Sequence, residues 1–183
     1  TSHADQTMKH HYRPDMSCYH VVDYDSLTGS VRSRVTAQGY ADSSAWARGQ
    51  AWGLYGYTLC YRYTHDPRYL KQAEEIARFI FTNRNLPSDL VPYWDYDVPN
   101  IEAEPRDASA AAITASALYE LSTYAGKKQG KAYKKLADRI VRTLGSPAYR
   151  AELGENGYFV LMHSTGNKPG PSEVDVPLVY ADY

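Results

Sequence analysis

Two kinds of helical segment alternate along the 183-residue chain, and this alternation restricts its fold more than any other feature. Residues 43–64 are apolar nearly all round, which indicates a helix enclosed by other parts of the protein. Residues 67–84 carry an apolar stripe opposite a charged face, the pattern of an amphipathic outer helix. The same order returns with an enclosed helix at 107–125 and an amphipathic one at 131–144. The sequence therefore predicts an all-α fold of stacked helical hairpins.

The starts of the enclosed helices also repeat. Asp42 precedes the first helix and Asp107 precedes the second, 65 residues later. We expect each aspartate to cap its helix, because a carboxylate accepts hydrogen bonds from the free amides of the first turn. Asp175 is expected to open a third enclosed helix. Two complete hairpins and two partial ones do not close a ring, so the sequence predicts missing partners, either more of the same chain or another copy.

Three connecting segments are expected to have structure of their own. Residues 18–35 read as a β-hairpin around the turn Leu27-Thr28-Gly29-Ser30. Residues 85–106 form a long loop, and a loop of that length in a compact domain is usually functional. Residues 157–162 are predicted to form a short strand.

Composition excludes several classes of function. The net charge of -1 and the pI of about 6.6 argue against general binding to nucleic acid or to acidic membranes. No apolar stretch approaches the roughly 20 residues that span a bilayer. Cys18 and Cys60 are too few for a disulfide framework. No leader segment is visible, but the chain begins at Thr1 without methionine, and we expect this start to be an internal cut.

Familiar catalytic and cofactor motifs are absent. The chain has no G-x-S-x-G, no H-E-x-x-H, no phosphate-binding loop and no dinucleotide fingerprint, so we predict no cofactor. His3, His10 and His11 lie close together and could hold a metal ion, but a solvated helix end is the favoured interpretation. We therefore predict no metal site.

The densest cluster of chemically useful residues precedes and enters the first enclosed helix. Arg48 and Trp52 are four residues apart, so on a helix they share one face. Together they offer a fork for a carboxylate and a flat apolar plate, and an acidic sugar needs both. A guanidinium in so apolar a helix requires a partner, and the alternative is an internal ion pair with Asp42 or another carboxylate.

Several motifs resemble those of the unsaturated glucuronyl hydrolases, glycoside hydrolase family 88, and the likeness covers essentially the whole chain. The segments are Arg13-Pro14-Asp15, Tyr19-His20, residues 40–52 (YADSSAWARGQAW), residues 105–111 (PRDASAA), residues 163–169 (HSTGNKP), Asp175 and Ala181-Asp182-Tyr183. The related rhamnogalacturonyl hydrolases share an Arg-Gly pair but usually lack the Gln-Ala that follows it here, so the glucuronyl branch is favoured.

The resemblance implies part of an (α/α)6 toroid of helical hairpins, with a β-hairpin and long loops at the active-site end. Residues 1–183 would then be an incomplete single domain, roughly the C-terminal half of the ring. It also implies an enzyme that releases a 4,5-unsaturated uronic acid from lyase-generated oligosaccharides. An aspartic acid protonates the vinyl ether at C4 and activates water for attack at C5, after which the hemiketal opens and the glycosidic bond breaks.

The general acid/base aspartate of that family aligns upstream of Thr1, so no catalytic residue is expected in this chain and the fragment alone should be inactive. Four substrate-binding positions carry over: His20, Gln38, Arg48 and Trp52. Arg48 would bind the substrate carboxylate or other polar groups, Trp52 a sugar face, and His20 and Gln38 hydroxyls or the reacting water. The expected partners are an unsaturated uronide and the missing N-terminal half, and the expected compartment is the bacterial cytoplasm or periplasm.

Three other interpretations stay open on the sequence alone. One is an unsaturated rhamnogalacturonyl hydrolase. Another is ordinary inverting hydrolysis by acidic residues of the long loops, namely Asp95, Asp97, Glu102, Glu104 and Asp107. The third is a non-enzymatic helical-repeat module that binds glycans or proteins. A solvated, turn-forming loop is the simpler explanation of those carboxylates.

Overall fold

Two helical hairpins form the body of the protein, in a computed structural model that describes residues 2–182. In chain order the helices and strands are α1 (Ser2–His10), β1 (Val21–Tyr24), β2 (Val31–Val35), α2 (Ala47–Thr64), α3 (Pro67–Thr82), α4 (Ala108–Tyr124), α5 (Lys127–Leu144) and α6 (Val179–Asp182). Single 3-10 turns lie at Ile101–Ala103 and Asn156–Tyr158. Thr1 and Tyr183, the last residue of the terminal motif, lie outside the described residues.

The inner helices α2 and α4 pack against each other, and each packs against the outer helix that follows it. Their contact surfaces are built from fully buried aliphatic side chains, which include Leu54, Ile76, Leu118 and Ile140. Each such side chain contributes roughly 1.5–3 kcal/mol when it leaves water. Five of the ten buried residues of α4 are alanines, whose small side chains leave room for a neighbouring helix to pack closely. The predicted order of enclosed and amphipathic helices is confirmed.

Helices α3 and α4 each begin directly after an aspartate whose carboxylate caps the first turn. Asp66 accepts a hydrogen bond from the Arg68 amide, and Pro67 occupies the first position of α3. Asp107 accepts from the amides of Ser109 and Ala110 and caps α4 as predicted. These side chains replace partners that the helix itself lacks at its first turn.

The predicted cap by Asp42 is wrong. Helix α2 begins at Ala47, with Trp46 at the capping position and no side chain capping it. The Asp42 carboxylate instead accepts a hydrogen bond from the Thr36 amide at 2.7 Å. The helix starts late because Trp46 pairs with Asp95 in an isolated β-bridge. That bridge holds the chain extended where local sequence would allow a helical turn.

Two further predictions about the C-terminal part are wrong. Asp175 does not open an inner helix, because it has a left-handed φ of 54° and pairs with His163, and α6 begins only at Val179. Residues 157–162 form no strand. They overlap the 3-10 turn Asn156–Tyr158, and only Leu161 forms a β-bridge, with Arg150. Left-handed Gly157 and Tyr158 prevent an extended run there.

The β-hairpin is confirmed, with β1 and β2 antiparallel and Val21 opposite Val35. A register shift next to Tyr24 interrupts the ladder. Among the described residues, no helix is both long and apolar enough to cross a membrane.

Candidate functional site

Long connecting segments meet where the inner helices begin. The Ala47 amide, at the start of α2, donates to the Trp94 carbonyl at 3.1 Å. The Ala108 amide, at the start of α4, donates to the His163 carbonyl at 2.9 Å. The loops before and after the inner hairpins are therefore fastened to the first turns of α2 and α4. This places the predicted site residues at one end of the helical bundle.

Arg48 lies inside this end of the protein and is only 2% exposed. Its Nη1 donates to Asp107 Oδ2 at 2.9 Å and to the Thr165 carbonyl at 2.6 Å. Its Nη2 donates to the Gly166 carbonyl at 2.6 Å. The internal ion pair that the sequence left open is thus present, and its partner is Asp107, not Asp42. Arg48 joins three parts of the chain that are far apart in sequence.

Asp107 is fully buried and is shared between a helix cap and this ion pair. Its Oδ1 accepts from the Ser109 hydroxyl at 2.5 Å and from the Ser109 amide at 3.1 Å. Burial raises the pKa of Asp107, while the charge of Arg48 and the hydrogen bonds from Ser109 oppose that rise. A carboxylate with so many donors is a structural anchor for the start of α4.

The His20 ring is half-buried and lies against Trp46, with ring centroids 4.3 Å apart and planes 29° apart. Its Nδ1 accepts backbone hydrogen bonds from Ala37 at 3.2 Å and from Gln38 at 3.1 Å. Burial lowers the pKa of His20, and the positive charge of Arg48 lowers it further. Gln38 is therefore tied to His20 through its own backbone, and its partly exposed side chain lies on the same turn.

Trp52 lies one helical turn after Arg48 and is 42% exposed, in contrast to the buried arginine. Its ring contacts Tyr55 and Tyr180, with centroids 5.8 Å and 6.2 Å away. The Arg48 guanidinium lies 5.5 Å from the centroid of the Tyr180 ring. Arg48 and Trp52 therefore lie on the same side of α2, and Tyr180 lies against both of them. Of the two, only Trp52 is open to solvent.

A groove of about 370 Å³ runs past His20 and Trp52. Trp46 and Gly49 also line it, and a Cβ atom on Gly49 would come within 3.0 Å of the Trp46 ring. The structure thus brings His20 and Trp52 to one surface, whereas Arg48 lies beneath it and Gln38 beside it. A groove of aromatic faces with an imidazole at its edge suits a sugar ring, whose faces are apolar and whose rim is polar.

The carboxylates of the long loop do not form an acid and base pair facing this groove. Asp95 is fully buried and accepts hydrogen bonds from the Tyr40 amide and the Ser44 hydroxyl. Asp97 accepts from the Ala45 amide, and Glu104 from the Trp94 indole and from Lys168. These groups hold loops together, and none of the five carboxylates of the cluster lines the groove of His20 and Trp52.

Sequence reasoning did not identify Trp46 and Tyr180 as neighbours of Arg48, and it named Asp95 only as a possible acid or base and not as a buried anchor of the loops. Trp46 could have been found, because an indole two residues before a predicted buried arginine is well placed to cover it. The Arg48 carbon Cζ lies 4.5 Å from the Trp46 ring centroid. Asp95 and Tyr180 carry no local signal, since each acquires its role from a contact distant in sequence. Within residues 2–182, no group of three or more His, Cys, Asp or Glu side chains could hold a metal ion.

The fold defines the class, a portion of an α/α toroid of helical hairpins, with an aromatic groove beside α2. A solved structure of an unsaturated glucuronyl hydrolase specific for heparin superposes with a TM-score of 0.97 at 52% identity, covering 100% of this chain and 48% of that one. No protein-family model matches the chain.

Curated relatives identify the family. The unsaturated glucuronyl hydrolase of Formosa agariphila is 51% identical over 181 residues, which are 99% of this chain and 44% of that protein. The unsaturated chondroitin disaccharide hydrolase of Streptococcus pyogenes is 34% identical over 184 residues, which are 100% of this chain and 45% of that protein. The chain belongs to the unsaturated glucuronyl hydrolase family and spans about half the length of the curated relatives it matches. These relatives support the glucuronyl interpretation and neither the rhamnogalacturonyl nor the binding-module alternative.

Proposed function

We propose that the polypeptide containing this chain is a glycoside hydrolase that removes a 4,5-unsaturated uronic acid from lyase-generated oligosaccharides by hydrating the vinyl ether. The observation that carries the proposal is the 51% identity to an unsaturated glucuronyl hydrolase over nearly the whole chain. The names of the relatives point to glycosaminoglycan fragments, chondroitin in one and heparin in another, as the substrate class to test.

We propose that residues 1–183 make up roughly the C-terminal half of the ring. An apolar groove supports this. It has a volume of about 560 Å³, lies beside α4 and α6, and is lined by Ile113, Tyr119 and Val141 among others. Exposed apolar surface on the flank of a helical stack requires a neighbour. The rest of the same polypeptide would supply that neighbour, together with the general acid/base aspartate.

Within this half, His20 and Trp52 are the proposed contacts to the sugar. Trp52 offers its exposed indole to an apolar face of the ring, and His20 offers a polar edge at the same groove. The Gln38 side chain would bind a hydroxyl or the reacting water from the adjoining turn.

Arg48 has a more limited proposed role. A guanidinium has five N–H groups, and the partners of Arg48 take both of those on Nη1 and one on Nη2. The remaining groups, on Nε and Nη2, are those that could reach a substrate carboxylate. Binding would then use the arginine in place, without breaking the pair with Asp107.

The direct test uses the full-length polypeptide with unsaturated chondroitin and heparin disaccharides. Loss of the ultraviolet absorbance of the 4,5 double bond is expected, together with release of the second sugar. Activity on saturated oligosaccharides with the double bond left intact would overturn the proposal.

A matched pair of variants tests the groove. Trp52→Ala should lower kcat/KM at least about tenfold, or roughly 1.4 kcal/mol, because the sugar loses its apolar plate. Tyr63→Ala, which removes a 76% exposed aromatic ring from the far end of the same helix, should leave kcat/KM unchanged. Equal effects of the two substitutions would remove Trp52 from the site.

A further inference from the structure

We infer that the turn of residues 36–38 holds His20 as the neutral Nε2–H tautomer, so that it serves the groove as a hydrogen-bond donor and not as a base. What His20 donates to rests on the proposed function. The tautomer itself does not, because it follows from the hydrogen bonds of this chain.

Two backbone donors fix the protonation of the ring. The amides of Ala37 and Gln38 both point at Nδ1, at 3.2 and 3.1 Å. A backbone N–H can only donate, so Nδ1 must present its lone pair and carries no proton. The single proton of the neutral ring therefore lies on Nε2. The Thr36 hydroxyl, 3.4 Å from Nδ1, is free to donate to the same lone pair.

The turn that carries these donors is itself held in place. The Thr36 amide donates to Asp42 at 2.7 Å, and the Gly39 amide donates to the Thr36 hydroxyl at 2.8 Å. The Tyr40 amide donates to buried Asp95 at 2.9 Å. Because the backbone is anchored on both sides, the donors cannot easily turn away to accommodate a proton on Nδ1. Asp42 and Asp95 therefore position the turn of residues 36–38.

The surroundings of the ring favour the same state. Stacking on Trp46 fixes the plane of the imidazole, and the Arg48 guanidinium lies against the same indole. Arg48 is the charged group that acts on His20, and its positive charge opposes formation of an imidazolium. Neutral His20 therefore avoids both a clash of protons at Nδ1 and a repulsion between cations.

The tautomer decides which hydrogen-bonding edge His20 offers to the groove. Since the Nδ1 edge of the ring faces the turn, the edge that His20 can offer to the groove is the one that carries Nε2–H. A donor there binds an oxygen of the sugar or of water and orients it. Proton abstraction is left to the aspartate that we propose in the rest of the polypeptide.

Nitrogen NMR on the full-length polypeptide with labelled histidine tests the tautomer without reference to activity. The His20 signals, assigned by their loss in His20→Gln, should show an unprotonated Nδ1 and a protonated Nε2 at pH 8, and the midpoint of conversion to imidazolium should lie below pH 6.5. A proton on Nδ1 at pH 8, or a conversion midpoint at or above pH 6.5, would overturn the inference and leave the proposed function standing.

Kinetics with matched substitutions test the role. The amide nitrogen of glutamine can occupy the place of Nε2, whereas that of asparagine reaches only the place of Nδ1. His20→Gln should therefore keep kcat/KM within roughly tenfold of the parent, while His20→Asn and His20→Ala should lose about a hundredfold, the value of a hydrogen bond inside a site. His65→Asn, at an exposed left-handed cap at the opposite end of α2 from His20, is the control.

Each outcome of the kinetic test has a distinct meaning. If all three His20 variants lose activity equally while their unfolding midpoints stay at the parent value, His20 does more than donate and the inference fails. If the parent itself does not consume the double bond, the proposed function fails and the NMR result still decides the tautomer.

Discussion

The packed pair of inner helices, α2 and α4, is fastened by an ion pair at each end, and the two pairs differ sharply in environment. At the start of the helices, Arg48 and Asp107 are 2.9 Å apart with side chains 3% and 0% exposed. At the far end, Arg62 Nε donates to Glu120 at 2.6 Å, but the two side chains are 42% and 18% exposed. An arginine and a carboxylate join the same helices at both ends, and the main difference between the two contacts is their burial.

The comparison teaches where an ion pair is structural. In the interior, Arg48 and Asp107 have lost their water and depend on each other and on neighbouring donors and acceptors. At the surface, water and salt compete with each partner, and exposed pairs contribute little. The buried pair also lies among the loops of the site, whereas the exposed pair lies at the opposite end of both helices. Stability of the site should therefore depend on the first pair and hardly at all on the second.

Removing the buried carboxylate should have the largest effect. Asp107→Ala leaves the Arg48 charge without its partner and removes the cap of α4, so we expect a loss of about 3–5 kcal/mol in the free energy of unfolding. Urea unfolding of the full-length polypeptide measures it. A loss no greater than that from Asp42→Ala, which removes only a loop contact, would contradict the structural role of the pair.

Deleting both partners should cost less than the sum of the two single deletions. Arg48→Met alone leaves a buried carboxylate, but in combination with Asp107→Ala it removes the second charge as well. We expect a coupling of at least about 1 kcal/mol between the two substitutions, because the residues are in direct contact. Additive losses in a complete double-mutant cycle would show that the two residues act independently.

Acid should weaken the two ends of the helix pair in different pH ranges. The native pKa of His20 is lowered from 6.5. The contribution of His20 to the free energy of unfolding is therefore complete above pH 6.5 and is lost as the pH falls through the lower native value. The Arg62 guanidinium lowers the pKa of Glu120 from 4.5. The contribution of Glu120 to the free energy of unfolding is therefore complete above pH 4.5 and is lost as the pH falls through the native value.

Amide hydrogen exchange at a series of pH values resolves the two ends. Protection near the start of α2 should begin to decrease as the pH falls below 6.5, while protection near the end of α4 should hold until the pH falls below 4.5. His11, whose pKa burial also lowers, lies close to the same end, so His20→Gln is the control that isolates His20. A parallel decrease at both ends would contradict the assignment.

The smallest effect is expected at the exposed pair. Glu120→Gln should lower the free energy of unfolding by about 0.5 kcal/mol or less, because the partner arginine remains solvated. Added salt should reduce even this difference. The measurement is the same urea titration at low and high sodium chloride. A loss comparable to that of Asp107→Ala would mean that burial does not decide the strength of these contacts.

Periodicity in the sequence predicted the helices well, and it failed where a long-range contact overruled a local pattern. Residues 67–82 and 108–124 form helices close to the predicted bounds because their apolar stripes and caps agree. The segments Asp42-Ser43-Ser44-Ala45 and Asp107-Ala108-Ser109-Ala110 differ at one position, yet only Asp107 caps a helix. The difference lies in the loop of residues 94–97, which pairs with the chain before α2 and delays that helix.

The site was predictable in part. Resemblance to a family indicated His20, Gln38, Arg48 and Trp52, and the structure places His20 and Trp52 on one groove. Their roles in binding substrate stay predictions. The need of Arg48 for a carboxylate was also readable from its apolar surroundings, but the identity of the partner was not. Asp107 lies 59 residues away, and the carbonyl groups of Thr165 and Gly166 lie farther still.

By itself, the sequence determined the alternation of inner and outer helices, the capping of α4, and the family. These depend on residues close together in the chain, where helical spacing and capping act directly. Only the tertiary structure decided which aspartate meets Arg48, which nitrogen of His20 carries the proton, and which of Arg48 and Trp52 remains open to solvent. Each of these depends on burial and on partners brought together from distant segments, and neither quantity is written in local sequence.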